Sequence, residues 1–193
     1  MKDKLKLILL AGLVAAGGVA AHATTIDFEA YADGANINGV NLGGVTLTAP
    51  GGLVEIYDNR FGIFFHSATK AVANLDPSPA QDNPLLGVFD FPVSYVSLWG
   101  GDGGGDTEDW TLEAYNGALL VRSVNSGPFT GNPYRQLRID FNGITSFKAY
   151  HNSSNFGIGF DDLSFERSVP DSGSTLSLLG LAAAGLGLWR RRN

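Results

Sequence analysis

Apolar and polar positions alternate in short runs along most of the chain, with little of the three-to-four-residue recurrence that marks an amphipathic helix. Thr25-Ile26-Asp27-Phe28-Glu29, Val45-Thr46-Leu47-Thr48 and Gly62-Ile63-Phe64-Phe65 are short and rich in β-branched or aromatic residues. Similar runs span 86–91, 94–99, 110–115, 118–124, 134–141, 144–151 and 156–165. Turn formers separate them: Asp33-Gly34, Asn38-Gly39, Asn116-Gly117 and Asn142-Gly143. Asn116-Gly117 stands between two alternating runs and is the clearest hairpin signal. About ten strands at this spacing, with no helices between them, predict an all-β fold, an antiparallel β-sandwich of jelly-roll type. The proline-rich piece from 73 to 84 predicts a surface loop.

Alternation also assigns faces. Val96 and Leu98 share one side of their strand, as do Trp110, Leu112 and Ala114 on theirs and Phe147 and Ala149 on theirs. Tyr95 and Trp99 fall on the side opposite Leu98. The last strand breaks phase, because Ile158 and Phe160 point one way and Leu163 and Phe165 would point the other. Burying all four requires an extra residue at Asp161-Asp162, a β-bulge.

Both ends of the chain depart from this pattern. Lys2, Lys4 and Lys6 precede an apolar or small-residue stretch from Leu7 to Ala21, and Ala21-His22-Ala23 follows the small-x-small rule for signal cleavage. Residues 1–23 therefore read as a signal peptide, with signal peptidase as a processing partner and Thr24 as the first mature residue. At the other end, Val169-Pro170-Asp171-Ser172-Gly173 precedes an apolar stretch from Leu176 to Trp189 and then Arg190-Arg191-Arg192. As a helix that stretch would cover roughly 21 Å, short of a ~30 Å hydrocarbon core unless Trp189 and snorkelling arginines extend it. The arginine triplet would stay cytoplasmic as a membrane stop, leaving the body outside.

The tail resembles a PEP-CTERM-type sorting signal in its Val-Pro-Asp-Ser-Gly variant, carried by Val169 to Gly173, the apolar helix and the basic end. That resemblance implies processing by an exosortase, transient anchoring in the inner membrane, and delivery to the cell surface or to exopolysaccharide. The expected organisation is a signal peptide (1–23), a β-sandwich (24–167) and a sorting signal (168–193).

Charge sharpens this division. The whole chain carries a formal charge of −6, yet Thr24 to Val169 holds 7 basic and 17 acidic residues, a net −10. Such a body is unsuited to the phosphate backbone of nucleic acids, which recruits clustered Lys and Arg. No cysteine is present, so an exported fold must be held by its core, by an ion, or by both.

The chemistry on offer is sparse. There is no His-Glu-x-x-His helix and no Gly-x-Ser-x-Gly elbow, and the body's histidines are His66 and His151. A non-catalytic, structural or adhesive body is the reading that follows. Its rivals are a carbohydrate-binding module using Tyr95, Trp99 or Trp110 as stacking rings, and a polysaccharide-active hydrolase or lyase. The body also resembles carbohydrate-binding jelly rolls that share a calcium ion between their first and last strands. That resemblance implies structural Ca2+ held by Glu29 and Asp162, a hard cation suited to carboxylate oxygens. The glycine-rich stretch from Gly100 to Asp109 lacks EF-hand spacing and reads as a solvated loop.

Overall fold

The computed structural model describes residues 22–58, 66–67, 69–73, 84–101, 107–130, 134–152 and 158–169. Among them there is no helix. The strands are β1 (Ala23–Ile26), β2 (Val45–Thr48), β3 (Glu55–Asp58), β4 (Lys70–Ala73), β5 (Leu85–Gly101), β6 (Thr107–Glu108), β7 (Trp110–Asn116), β8 (Leu119–Asn125), β9 (Phe129–Thr130), β10 (Arg135–His151) and β11 (Gly159–Arg167). Every pairing is antiparallel. The fold is the expected all-β sandwich. The two expected flanking helices and the Gly62–Phe65 strand lie outside the described residues.

Two strands of 17 residues, β5 and β10, organise the molecule. They pair along their whole length, with register irregularities between Asp140 and Ser146. On one side of that irregularity the order is β2, β5, β10, β7, β8; on the other β10 and β5 continue into β11, which carries β1 and β4, and β4 carries β3. The ribbon folds over here. Trp110 on β7 packs edge-on against Phe160 on β11, with ring centroids 5.3 Å apart, although the two strands never pair. Phe89 likewise meets Phe165 across the layers at 5.0 Å.

The fold-over explains two departures from the sequence pattern. The runs 86–91 and 94–99 merge into β5 through Pro92, a residue with no amide proton placed where ladder pairing is already interrupted. Asn142-Gly143, expected as a turn, lies inside β10, where Gly143 takes a φ of 101° at the irregularity. By contrast Asn116-Gly117 does close a hairpin: Asn116 faces Leu119, and Gly117 has a φ of 58°.

The core is a single cluster in which Val45, Leu47, Val96, Leu98, Trp110, Leu112, Ile139, Phe147, Leu163 and Phe165 are all buried. Two glycines make room for its largest rings. A Cβ at Gly87 would sit 2.0 Å from the Phe147 ring that faces it across the strands, and one at Gly100 would sit 2.6 Å from Trp110. The bulge lies in β11, where Asp161 faces Trp99 but Ser164 faces Ser97, and Asp162 takes a φ of 46°. Ile158, Phe160, Leu163 and Phe165 are all buried as a result.

Both ends of the described body meet at the fold-over. Ala23 faces Glu166 across the β1–β11 pair. Beyond β11, the Ser168 amide donates to Pro92 O at 2.8 Å, and Ser168 Oγ accepts from the Gly143 amide at 3.2 Å. Val169, the first residue of the sorting motif, is exposed there.

Candidate functional site

The bulge gathers the densest set of polar side chains. Asp161 is completely buried, and its carboxylate accepts from the Ser67 amide at 2.7 Å and from Ser67 Oγ at 2.9 Å. Burial pushes its acid up to about 6 and the neighbouring Asp162 charge adds to this, against the opposing pull of the Ser67 bonds. Asp162 turns outward and meets His66 Nδ1 at 2.5 Å. The His66 ring lies flat on Trp99, with centroids 3.6 Å apart and planes 13° apart.

Glu29, three residues after β1, closes on the same segment from the other end of the body. Its carboxylate accepts from the Thr69 amide (2.7 Å), Thr69 Oγ1 (2.8 Å) and the Lys70 amide (2.8 Å). Burial raises its acid, but these bonds and the Lys70 charge outweigh that and hold it below the ordinary carboxylate range. Lys70 Nζ in turn donates to the carbonyls of Glu29 and Tyr31. The residues following β1 and the bulge of β11 are thus fastened to Thr69 and Lys70 and to Ser67 respectively.

This arrangement fits a calcium ion poorly. A hard cation needs several free oxygens converging on one point. Here the oxygens of Glu29 are engaged by Thr69 and Lys70, and two carbonyls beside it already receive the ammonium of Lys70. No group of three or more Asp, Glu, His or Cys side chains suited to a metal occurs among the described residues.

The three aromatics nominated for ligand stacking have different fates. Trp110 is fully buried between Gly100 and Phe160, so it is a core residue and presents no ring face to a ligand, which corrects that expectation. Tyr95 does face outward but is buried beneath the Arg138 guanidinium, 3.7 Å from its ring centroid; Arg138 is held there by Asp140. Trp99 is half-buried and capped by His66. Glu108 and His151 form a buried pair, Nε2 to Oε2 at 2.7 Å, which ties β6 to the end of β10. Isolated apolar and polar runs carry no signal for that long-range contact.

A different set lies on the outward face of β2, β5, β10, β7 and β8. Glu113 and Tyr115 alternate outward on β7 between the buried Leu112 and Ala114, and Lys148 and Tyr150 do so on β10 around Ala149. Both tyrosine hydroxyls donate to Glu113, Tyr115 at 2.5 Å and Tyr150 at 3.1 Å. Burial and the carboxylate together push the Tyr115 hydroxyl up to about 12. Lys148 Nζ rests 4.5 Å from the Tyr150 ring centroid. The sequence shows the alternation that turns these residues outward, but not the bonds that join them.

Residues 168–192 match the VPDSG-CTERM motif, so the chain carries an exosortase-type C-terminal signal of the PEP-CTERM kind. No curated protein matches the chain. Among solved structures, it is similar to the K2 cleaved adhesin domain of Lys-gingipain, at 13% identity over 75% of this chain and 99% of that one, with a TM-score of 0.49. It is also similar to TmCBM61 in complex with β-1,4-galactotriose, at 15% identity over 72% and 99%, TM-score 0.46. The CBM22-1 xylan-binding domain from Paenibacillus barcinonensis Xyn10C is a third, at 12% identity over 70% and 93%, TM-score 0.44. Likeness of this degree leaves the function to be argued from the chain's own residues.

Proposed function

We propose that this is an exported, exosortase-processed protein of the cell surface or extracellular matrix, whose sandwich acts as a non-catalytic structural or adhesive body. The observation that carries this reading is the sorting signal at 168–192. Signal peptidase cuts after Ala23, the apolar stretch 176–189 holds the chain in the inner membrane against Arg190–Arg192, and exosortase then acts near Val169–Gly173. The geometry of the body supports access to both processing points. Ala23 and Val169 leave the sandwich on the same side, at the fold-over of β5 and β10, so neither processing step has to reach through the folded domain.

The engagement of the carboxylates supports a non-catalytic body. Asp161 and Glu29 accept backbone amides, and His66 is stacked between its Asp162 contact and Trp99. Mass spectrometry of the exported protein tests the reading: a mature start at Thr24 and loss of Arg190–Asn193 are expected. An intact C-terminus on most surface-exposed molecules would sink it. Exopolysaccharide is the partner class that a matrix location supplies, and the open outward face of β7 and β10 favours that second reading.

A further inference from the structure

On the outward face of β2, β5, β10, β7 and β8 two tyrosines are organised around one carboxylate. Tyr150 faces Thr111 across the β10–β7 pair, and Tyr115 faces Ser146. Those two rows are four residues apart, about 13 Å along a strand. Both hydroxyls nevertheless reach the one carboxylate of Glu113, midway between them. The two rings therefore lean toward each other along the sheet instead of standing off it. The product is a flat strip, ring–carboxylate–ring, anchored by rotamers that two hydrogen bonds fix.

The flanks add the rest of a recognition surface. Across the β10–β5 pair, Lys148 faces Leu86 and Ser146 faces Val88, and Val88 is 55% exposed. Leu120, facing Tyr115 on β8, is also exposed. Glu113 keeps acceptor capacity beyond its two tyrosine bonds, since a carboxylate offers about four lone-pair sites. Lys148 supplies donors at the ring of Tyr150. Apolar surface and fixed polar groups alternate over a few ångströms along this strip.

We infer that this face binds an uncharged polysaccharide chain, with Tyr115 as the ring platform, Tyr150 holding Glu113 in place beside it, and Glu113 and Lys148 as the groups that receive and donate hydroxyl hydrogen bonds. A sugar ring presents C–H groups on its faces and hydroxyls on its edges, which is the alternation the strip offers. Charge selects the class. The one carboxylate and one ammonium of the strip cancel, so neither an acidic nor a basic polymer gains there. The body's net −10 repels acidic polymers at longer range.

The inference rests on the matrix reading for its compartment only, and its test is independent of tail processing. Full chain purified in mild detergent is run by native electrophoresis through gels containing soluble β-glucan, galactomannan or arabinoxylan, with alginate as the acidic control. Retardation by at least one neutral polymer is expected, with an apparent affinity at least tenfold weaker in Tyr115→Ala and a smaller loss in Tyr150→Ala, whose ring already carries Lys148. Tyr115→Phe keeps the ring and serves as the second variant; it retains most of the retardation and has a circular dichroism spectrum like that of the parent. Arg138→Ala, on the other layer, leaves retardation unchanged. Migration unaffected by any neutral polymer overturns the inference, as does retardation by alginate alone or equal retardation of parent and Tyr→Ala proteins. Concentration-dependent self-association that disappears in the tyrosine variants would reassign the face to a second copy of the chain and likewise overturn it.

Discussion

The two layers of the sandwich share β5 and β10, yet treat their outward aromatics in opposite ways. On the β1–β11 side the chain covers its own rings: Arg138 lies over Tyr95 and His66 lies over Trp99. On the β7–β8 side both rings are held by their hydroxyls, through Glu113; of the two, Tyr150 also carries the Lys148 ammonium, and among the described residues no cation lies over Tyr115. A guanidinium on a ring face uses up the surface a ligand would need, whereas a hydroxyl bond leaves that surface in place and only fixes its orientation. An outward aromatic is thus a candidate binding group only when its faces are free, and alternation alone does not report that.

Both layers depend on the same core, so the change with the largest expected effect removes the distinction altogether. Trp110→Ala takes a fully buried indole from between Gly100 and Phe160. A loss of about 3–5 kcal/mol is expected, as for other buried Phe or Trp truncations, measured as a drop in denaturant midpoint. A midpoint unchanged from the parent would mean that the layers do not pack on each other through this ring.

The next effects fall on the covered side only. Glu29→Gln weakens acceptance of the Thr69 and Lys70 amides and of Thr69 Oγ1 and leaves Lys70 beside a neutral side chain. A fall in melting temperature is expected, on the scale of about 1–3 kcal/mol for a disrupted hydrogen-bonded charge. Chelator treatment of the parent is expected to leave the melting temperature unchanged. A marked fall with chelator, restored by calcium, would show that an ion and not the Ser67–Lys70 stretch joins the terminal strands.

A smaller and pH-dependent effect separates Asp161 from its neighbours. Its folded acid, at about 6, lies above the ordinary aspartate value, so the folded state holds this proton more tightly than the unfolded chain does. Its contribution to stability is therefore greatest in acid, declines as pH rises from about 4 toward 6, and is level above that. Asp161→Asn removes this pH-dependent contribution. The stability of the parent relative to the variant should fall across that window and then stay constant, as read from melting temperatures over the pH range. A constant difference at every pH would mean that the carboxyl is not buried.

Much of this layout is present in the sequence, and what is missing has a common cause. The phase break between Phe160 and Leu163 announces the bulge, because two buried pairs cannot otherwise share a face. Asn116-Gly117 announces its hairpin through local turn chemistry. Asn142-Gly143 carries the same local signal and yet sits within β10, because pairing with β5 on one side and β7 on the other carries the strand through. Pro92 is passed over for the same reason. The contacts of Glu29 with Thr69, of Asp161 with Ser67 and of Arg138 with Tyr95 join positions far apart in the chain or depend on side-chain direction across a sheet. Alternation identifies which way each residue faces, and it is silent on what arrives to cover it.

The smallest expected effect tests the open face on its own. Glu113→Gln replaces the carboxylate that both tyrosine hydroxyls address with a neutral amide of the same shape. The Tyr115 hydroxyl is pushed up to about 12 by burial together with the hydrogen bond and charge of Glu113. With the charge gone, burial and any bond to the amide oxygen remain, so its ionisation should move back toward, but not reach, the ordinary tyrosine value. Tyr150, raised by the same causes, should move in the same direction. Ultraviolet absorbance titration reads both as earlier phenolate formation, while the melting temperature near neutral pH changes little because these groups are half-exposed. The same substitution leaves Tyr95 under Arg138 untouched. If the titration curve does not shift, the hydroxyls do not meet at Glu113, and the rings of this face are no more fixed than any exposed tyrosine.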